Sequence, residues 1–402
     1  LSDDIVLRRL LAAFDERQKS LIRYVARKGS DQLQPWSDRL LQVYGNPRRL
    51  ASINLPDGER RSADIATHGL IYLARYSPQS ALEQWHALRP RQQFSEAQIN
   101  EVEHAIVLRS LFAEEDPEAG WLDAALARLR DDTLTGIRLR WALGDRDWET
   151  LERTLPVLSA SARHESVWRY WKAVALELRG ALDESRVLLQ ALAQERDYYG
   201  FLAADRLKLP YSFQARPLVA EGSAPLLDIL ALARIEELQF HEEPVLAHQE
   251  WLKVLGDRPA EHKQLAQIAH DRGWHRMAID AAAQAKAWDA LDVRFPLAYE
   301  EVFDFHARVQ DVPVTELLAI SRRESAFFPW ARSEVGARGL MQVMPATGKQ
   351  VAASINTKHA SSDLYEIEHN VLLGSTYYRQ LLDQFNENRI FALTAYNAGP
   401  HR

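Results

Sequence analysis

From residue 1 to about residue 209 the apolar residues recur at steps of three and four, and no stretch competes with the two-residue alternation of a strand. A helix patterned this way must bury its stripe against a neighbour, so this half of the chain folds as helix packed on helix. LRRLLAAF, LARLRDDTLTGIRLRWAL and WRYWKAVALELRG carry the pattern, and the joins LPDGER, EEDPEAG and GDRD are short and polar. Gly144 and Gly180 stand 36 residues apart, each placed to end one helix and open the next, close to the period of helical-hairpin repeats. Trp171 to Leu192 reads as one such hairpin with its turn at Gly180. One hairpin cannot cover both of its faces, so the expected fold is all-α and its first part an α-superhelical solenoid. Trp36, Trp85, Trp121, Trp141, Trp148, Trp168 and Trp171 read as packing between helices rather than as platforms for sugar rings.

A chain of 402 residues is longer than one core usually organises, and its pattern changes where a further domain is expected. Between Pro210 and Pro225 the stretch PYSFQARPLVAEGSAP replaces helical periodicity with proline, glycine and serine. A second helical stretch runs from about Pro225 to Asp292, with Gly273 at a hairpin turn, until Arg294-Phe295-Pro296-Leu297 interrupts it. The expected division is a superhelical domain over 1–209, a small helical linker domain over 210–293 and a C-terminal domain over 294–402. Leu1 is not a methionine and Pro400-His401-Arg402 follows a loop signal, so both ends read as trimmed.

Several function classes are set aside by composition. With 49 basic against 56 acidic residues and a net charge of −7, the chain lacks the basic excess that sequence-independent nucleic-acid binding needs. No apolar run reaches the roughly 18 residues of a membrane-spanning helix. The absence of cysteine removes disulfides, thiolate metal sites and cysteine nucleophiles. His164-Glu165 and His241-Glu242 lack the second histidine of a zinc-protease helix, and His262 and His270 have no neighbouring carboxylate or cysteine partner. Phosphate-cradling glycine loops and the G-x-S-x-G elbow are also missing, so no metal and no cofactor is expected.

Chemistry concentrates in Ile320 to Thr347, ISRRESAFFPWARSEVGARGLMQVMPAT. Leu317, Ile320, Glu324 and Phe327 recur at helical spacing, which sets the Glu324 carboxylate on an apolar stripe. A carboxylate there loses hydration, raises its pKa and holds its proton, as a general acid must. Pro329 ends the helix about one turn after the glutamate and leaves it near a cleft. The segment Gly339 to Thr347 follows, where Met341 and Met344 flank Gln342, suiting a shallow apolar groove with one amide for hydrogen bonding. Asn370-Val-Leu-Leu-Gly374 leads into a helix through Tyr377, Tyr378 and Leu382, and in Ala395-Tyr396-Asn397-Ala398-Gly399 the tyrosine is placed to bring its hydroxyl to Glu324.

Glu324-Ser325, the G-L-M-Q of 339 to 342, the Met-Pro-x-Thr ending at Thr347 and the A-Y-N-A-G of 395 to 399 resemble the soluble lytic transglycosylases. YYGFLAADRL at 198 to 207 and RFPLAY at 294 to 299 extend the resemblance over nearly the whole chain. It implies a ring- or horseshoe-shaped superhelix, a small helical linker domain and a mainly helical domain of goose-type lysozyme fold. It also implies a periplasmic enzyme that cuts the β-1,4 bond between N-acetylmuramic acid and N-acetylglucosamine without net hydrolysis. Glu324 matches the single catalytic acid, Ser333, Gln342, Met344, Thr347 and Tyr396 match positions lining the sugar subsites, and Ser325 and Asn397 are read as support. Phe327, Met341 and Met344 are read as the apolar walls around the acid, and glycan strands and cell-wall synthesis proteins docked on the superhelix are the implied partners. Phe328 departs from the family by replacing a small polar residue, and the family's catalytic domain continues beyond Arg402. Two other readings are a lysozyme-like hydrolase drawing a second carboxylate from Asp363, Glu366 or Glu368, and a helical scaffold whose C-terminal domain only grips glycan.

Overall fold

The computed structural model describes residues 2–219 and 230–400. The later part of the expected linker, the expected helix start near Pro225 and the last two residues lie outside the described residues. The chain divides into two compact units, Leu1–Phe213 and Gln214–Arg402. The division follows Phe213 because Tyr211 and Phe213 pack on Phe201, with ring centroids 5.0 and 5.6 Å away, and Arg196 donates to the Phe213 carbonyl at 2.7 Å. The first residues of the expected linker are therefore sewn to the first unit.

Helix follows helix through the first unit, and side chains set many of the starts. Ser95 and Gln98 form a reciprocal capping box, and Asp131, Asp147 and Asp197 accept from the amides of Leu134, Thr150 and Gly200. Helices Ser166–Leu178 and Leu182–Leu192 form the expected hairpin, and Gly180 turns it with φ of +88°. Gly144 does not turn a hairpin. It lies within helix Asp132–Asp145, and Arg146 takes the left-handed position after it.

The core of this unit is serial. Four clusters of buried residues succeed one another along the chain, from Val6–Ile106 through Val107–Leu134 and Leu139–Ala175 to Tyr170–Ala204. Trp121 packs against the first two, and both Trp148 and Trp171 pack against the last two. Trp85 and Trp168 lie inside cores, while Trp36 and Trp141 lean on them. All seven tryptophans are thus inter-helix packing, and the cores they join are those of an α-superhelix.

The second unit holds two cores. The first is built by helices Leu230–Phe240, Pro244–Asp257, His262–Asp271 and His275–Gln284, with Gly273 turning the last hairpin at φ of +69°. Trp251 is fully buried at its centre and donates its indole N–H to the Met277 carbonyl at 3.0 Å. The other core gathers Phe303, Leu317, Ile320, Leu340, Met341, Val371 and Tyr378 from the residues that follow. Gly374 lets Met341 close on the helix Ile367–Gln384, since a Cβ there would lie 2.6 Å from the Met341 sulfur. No strand ladder occurs among the described residues; the extended contacts are isolated bridges of Arg332 with Arg338 and Arg338 with Val343. Nor is any helix among them long and apolar enough to cross a membrane.

Trp251→Ala empties the centre of the first of these cores and leaves the Met277 carbonyl without its indole partner. A loss of about 3–5 kcal/mol is expected in denaturant unfolding of the second unit's transition.

Candidate active site

Glu324 is the last residue of helix Val314–Glu324, one turn earlier than its spacing with Phe327 predicts. Ser325 ends the helix, and Ala326 and Phe327 turn left-handed at φ of +50° and +62°. Two serines explain the stop. Ser321 and Ser325 both donate to the Leu340 carbonyl, at 3.2 and 2.7 Å, and the Phe328 amide donates back to Ser325 Oγ at 3.2 Å. Phe327 reaches the core through this turn and not along the helix stripe; it is buried with its ring edge-on to Phe303. Leu317 and Ile320 do form the buried stripe, and it leaves Glu324 half-buried at the helix end.

Burial pushes the Glu324 carboxyl above its ordinary pKa, and the exposed Arg323 offsets part of that. Its place at the carboxyl end of a helix, where peptide dipoles present their negative pole, acts in the same direction as burial. Arg322 does not pair with it, donating instead to the Arg294 carbonyl at 2.6 Å. Glu103 in the first unit shows the opposite arrangement: buried, but bonded to Arg89 at 2.8 Å and to Arg128 at 3.1 Å. One carboxylate is paired; the other is not, and its pKa is raised.

The loop facing the helix end is tied from several sides. Asn370, fully buried in helix Ile367–Gln384, accepts from the Met341 amide at 2.8 Å and donates to the carbonyls of Arg338 and Leu364 at 3.0 and 2.8 Å. Gly339 sits at φ of +77° where a Cβ would lie 2.1 Å from the Leu364 oxygen, so no other residue fits. Tyr396 donates its hydroxyl to the Met341 carbonyl at 2.8 Å rather than to Glu324. The two residues are still neighbours electrostatically, because burial first and the Glu324 charge second push the Tyr396 phenol upward.

The remaining predicted site residues take distinct places. Gln342 turns left-handed at φ of +49° and spends its amide hydrogens on the carbonyls of Ala331 and Gly339, at 3.1 and 3.0 Å, which leaves its side-chain oxygen with no bond to another described residue. Ser333 closes its own turn, its Oγ accepting from the Ala337 amide at 3.0 Å. Met344 is 38% exposed just before helix Pro345–Ser354, whose first turn carries half-buried Thr347. Met341, expected with Phe327 and Met344 as a wall of the acid's pocket, is wholly buried beneath the loop. Ser325 supports the loop as described, whereas Asn397 is exposed and its side chain bonds to no other described residue. Phe328 faces away from this group, its ring 5.0 Å from that of His248 beside a cavity of about 560 Å³ that Trp274, Tyr299 and Trp330 also line.

Of the carboxylates considered as a second catalytic group, Glu368 pairs with His306 at 3.0 Å and Asp363 accepts from the Ala360 amide at 2.7 Å, while Glu366 is exposed and contributes only its backbone carbonyl, which takes the Asn370 amide. Ser321 and Asn370 were not picked out as functional from sequence. The signal for Asn370 is a lone amide among Val371, Leu372 and Leu373; Ser321 offers none beyond its spacing to Ser325.

Known proteins match this arrangement. Residues 301–402 fit the family described as the transglycosylase SLT domain, and residues 228–291 the soluble lytic murein transglycosylase L domain. The soluble lytic murein transglycosylase of Salmonella typhimurium is 31% identical over 98% of this chain and 62% of its own length, and that of Escherichia coli 30% identical over the same shares. Among solved structures, the 70-kDa soluble lytic transglycosylase of Escherichia coli superposes with a TM-score of 0.79 at 30% identity, over 100% of this chain and 66% of that one. An inactive Glu-to-Gln variant of the Pseudomonas aeruginosa lytic transglycosylase Slt gives 0.78 at 31% identity, with the same coverage. The chain thus spans less than two thirds of the length of these curated relatives.

Asn370→Ala strips one amide of its acceptor and two carbonyls of their donor inside the core, so a loss of roughly 2–4 kcal/mol in denaturant unfolding is expected. A second expectation follows from the raised Glu324 pKa. The folded state holds that proton more tightly than the unfolded chain does, so this group's contribution is greatest below the unfolded pKa and is lost as pH rises through the folded one. Glu324→Gln cannot ionise. Its Tm relative to the parent should therefore increase as pH is raised from acid to neutral, and a constant or shrinking difference would contradict the assignment.

Proposed function

The chain belongs to the soluble lytic transglycosylase family, and from that premise we propose that it cleaves the β-1,4 bond between N-acetylmuramic acid and N-acetylglucosamine in peptidoglycan without net hydrolysis. The observation that carries the reading is the unpaired, half-buried Glu324 with its raised pKa beside a loop pinned by serine, asparagine and tyrosine. Glu324 gives its proton to the glycosidic oxygen as the bond to C1 of the muramoyl sugar breaks. The resulting carboxylate then takes the proton of that sugar's C6 hydroxyl, whose oxygen bonds to C1 and closes a 1,6-anhydro ring. The acid is regenerated and no water enters the product. A retaining or inverting hydrolase uses two carboxylates, and of those offered by the sequence Glu368 is paired with His306.

Subsite roles follow from the groups left available. Gln342 offers its carbonyl oxygen to a sugar hydroxyl or acetamido N–H, and Met344 offers an exposed apolar surface to a ring face. Ser333 and Thr347 stand at the two ends of the loop segment, and Tyr396 keeps the Met341 carbonyl in place beside the acid. The same reading divides the chain into 1–209, 210–293 and 294–402, supported by the two separate cores of the second unit. It assigns the protein to the periplasm, where its substrate lies. Leu178, Leu182, Val187 and Tyr198, exposed on three successive helices, favour docking of cell-wall synthesis proteins on the superhelix.

Digestion of purified peptidoglycan followed by mass spectrometry tests the reaction. Muropeptides one water lighter than reducing-end products are expected, and reducing ends alone would refute it. Glu324→Gln should retain sediment binding to peptidoglycan while losing about 10²–10⁴ in turnover, with the parent's activity falling at a pH above the ordinary carboxylate range.

A further inference from the structure

We propose that His359, Asp363 and His369 form a binding site for one divalent transition-metal ion of the zinc class. This departs from the expectation of no metal drawn from the sequence. The three side chains offer donor atoms that all lie within 4.8 Å of one another, and none of the three is fully exposed. His359 Nδ1 and His369 Nε2 stand 3.0 Å apart, with ring planes 2° from parallel and centroids 5.3 Å apart. Those values describe two imidazoles nearly edge to edge, each aiming a nitrogen at the other. Zinc bound tetrahedrally at about 2.0–2.2 Å holds its donors roughly 3.4 Å apart, so the two nitrogens are already near the required separation, while both rings must pivot until their lone pairs converge on the ion and the aspartate edge must close by up to roughly 1.5 Å.

The surroundings favour this use. Asp363 is oriented by the Ala360 amide at 2.7 Å and by Ser362 Oγ at 3.1 Å, while further lone pairs of its carboxylate remain for a cation. His359 packs closely on Gly348 of helix Pro345–Ser354, where a Cβ would lie 3.0 Å from its Nε2. That Nε2 is buried with no hydrogen-bond partner, so the ring's one polar link runs through Nδ1 to His369. Two imidazoles and a carboxylate suit zinc, nickel or copper rather than calcium or magnesium. Because Nε2 lacks the outer-shell acceptor that strengthens most metal-bound histidines, the affinity expected is on the order of micromolar rather than tighter.

A bound ion would staple the loop 355–366 to the first turn of helix Ile367–Gln384, one residue before Asn370, the amide that holds Arg338, Leu364 and Met341. It thereby stiffens the frame of the loop without touching Glu324. The test is titration of the chelator-treated protein with zinc chloride, read by calorimetry and by thermal unfolding. One equivalent of zinc should bind, and Tm should rise with zinc concentration. His359→Gln and His369→Gln should each weaken binding by at least about tenfold while keeping the metal-free Tm near that of the parent. His248→Gln, which alters another histidine–aspartate pair with Asp280 at 2.8 Å, should bind like the parent. If either variant fails to fold, Asp363→Asn at the exposed edge of the cluster replaces it in the comparison. Absence of saturable binding by the parent, or equal binding by the parent and the His359 and His369 variants, would overturn the proposal.

Discussion

Two consecutive carbonyls, those of Leu340 and Met341, hold the candidate site together. The first accepts from Ser321 and Ser325 at the end of the glutamate's helix, the second from Tyr396 on the last helix, and the Met341 amide between them is held by Asn370 on a third. Three helices therefore grip one peptide group and its neighbour. Such groups are costly to leave unpaired in a core, so each bond enforces the others, and the position of Glu324 relative to the loop is over-determined. The backbone does the positioning. It leaves the side chain of Met344 exposed and one oxygen of Gln342 with no bond to another described residue.

How much of this was legible from residues varies with the physics involved. The helical character of the first unit and the burial of its tryptophans follow from periodicity, because amphipathic helices have few ways to hide their stripes. Glu324 stood out for the same reason, lying seven residues beyond Leu317 and four beyond Ile320. Phe327 misled: its spacing fits the stripe, yet it enters the core by a left-handed turn that two serine hydroxyls stabilise. Nothing local in the sequence announces Leu340 as their acceptor, since the bond joins residues 15 apart. Gly144 failed as a turn signal because Arg146 accepts the left-handed conformation two residues later. The histidine pair was invisible for a related reason, its members being brought together across a loop and not along a helix face.

Glu103 and Glu324 together show why the location of a carboxylate says little without its partners. Both are withdrawn from water, but Glu103 is bonded to two arginines, whereas Glu324 has no such pair and its pKa is raised. The partners that distinguish the two carboxylates lie 14 and 25 positions from Glu103 in sequence, and neither periodicity nor composition reports them.

The serial cores of the first unit carry a consequence of their own. Because the buried clusters follow one another along the chain, and tryptophans such as Trp121 pack against two of them at once, a disturbance in one block need not reach a distant one. Such a unit can bend at its seams with little loss of internal contact, much as a vertebral column flexes between rigid segments. Trp121 and the Trp148–Trp171 stack, 6.3 Å between centroids, are the discs of that column, the side chains shared by the blocks on either side.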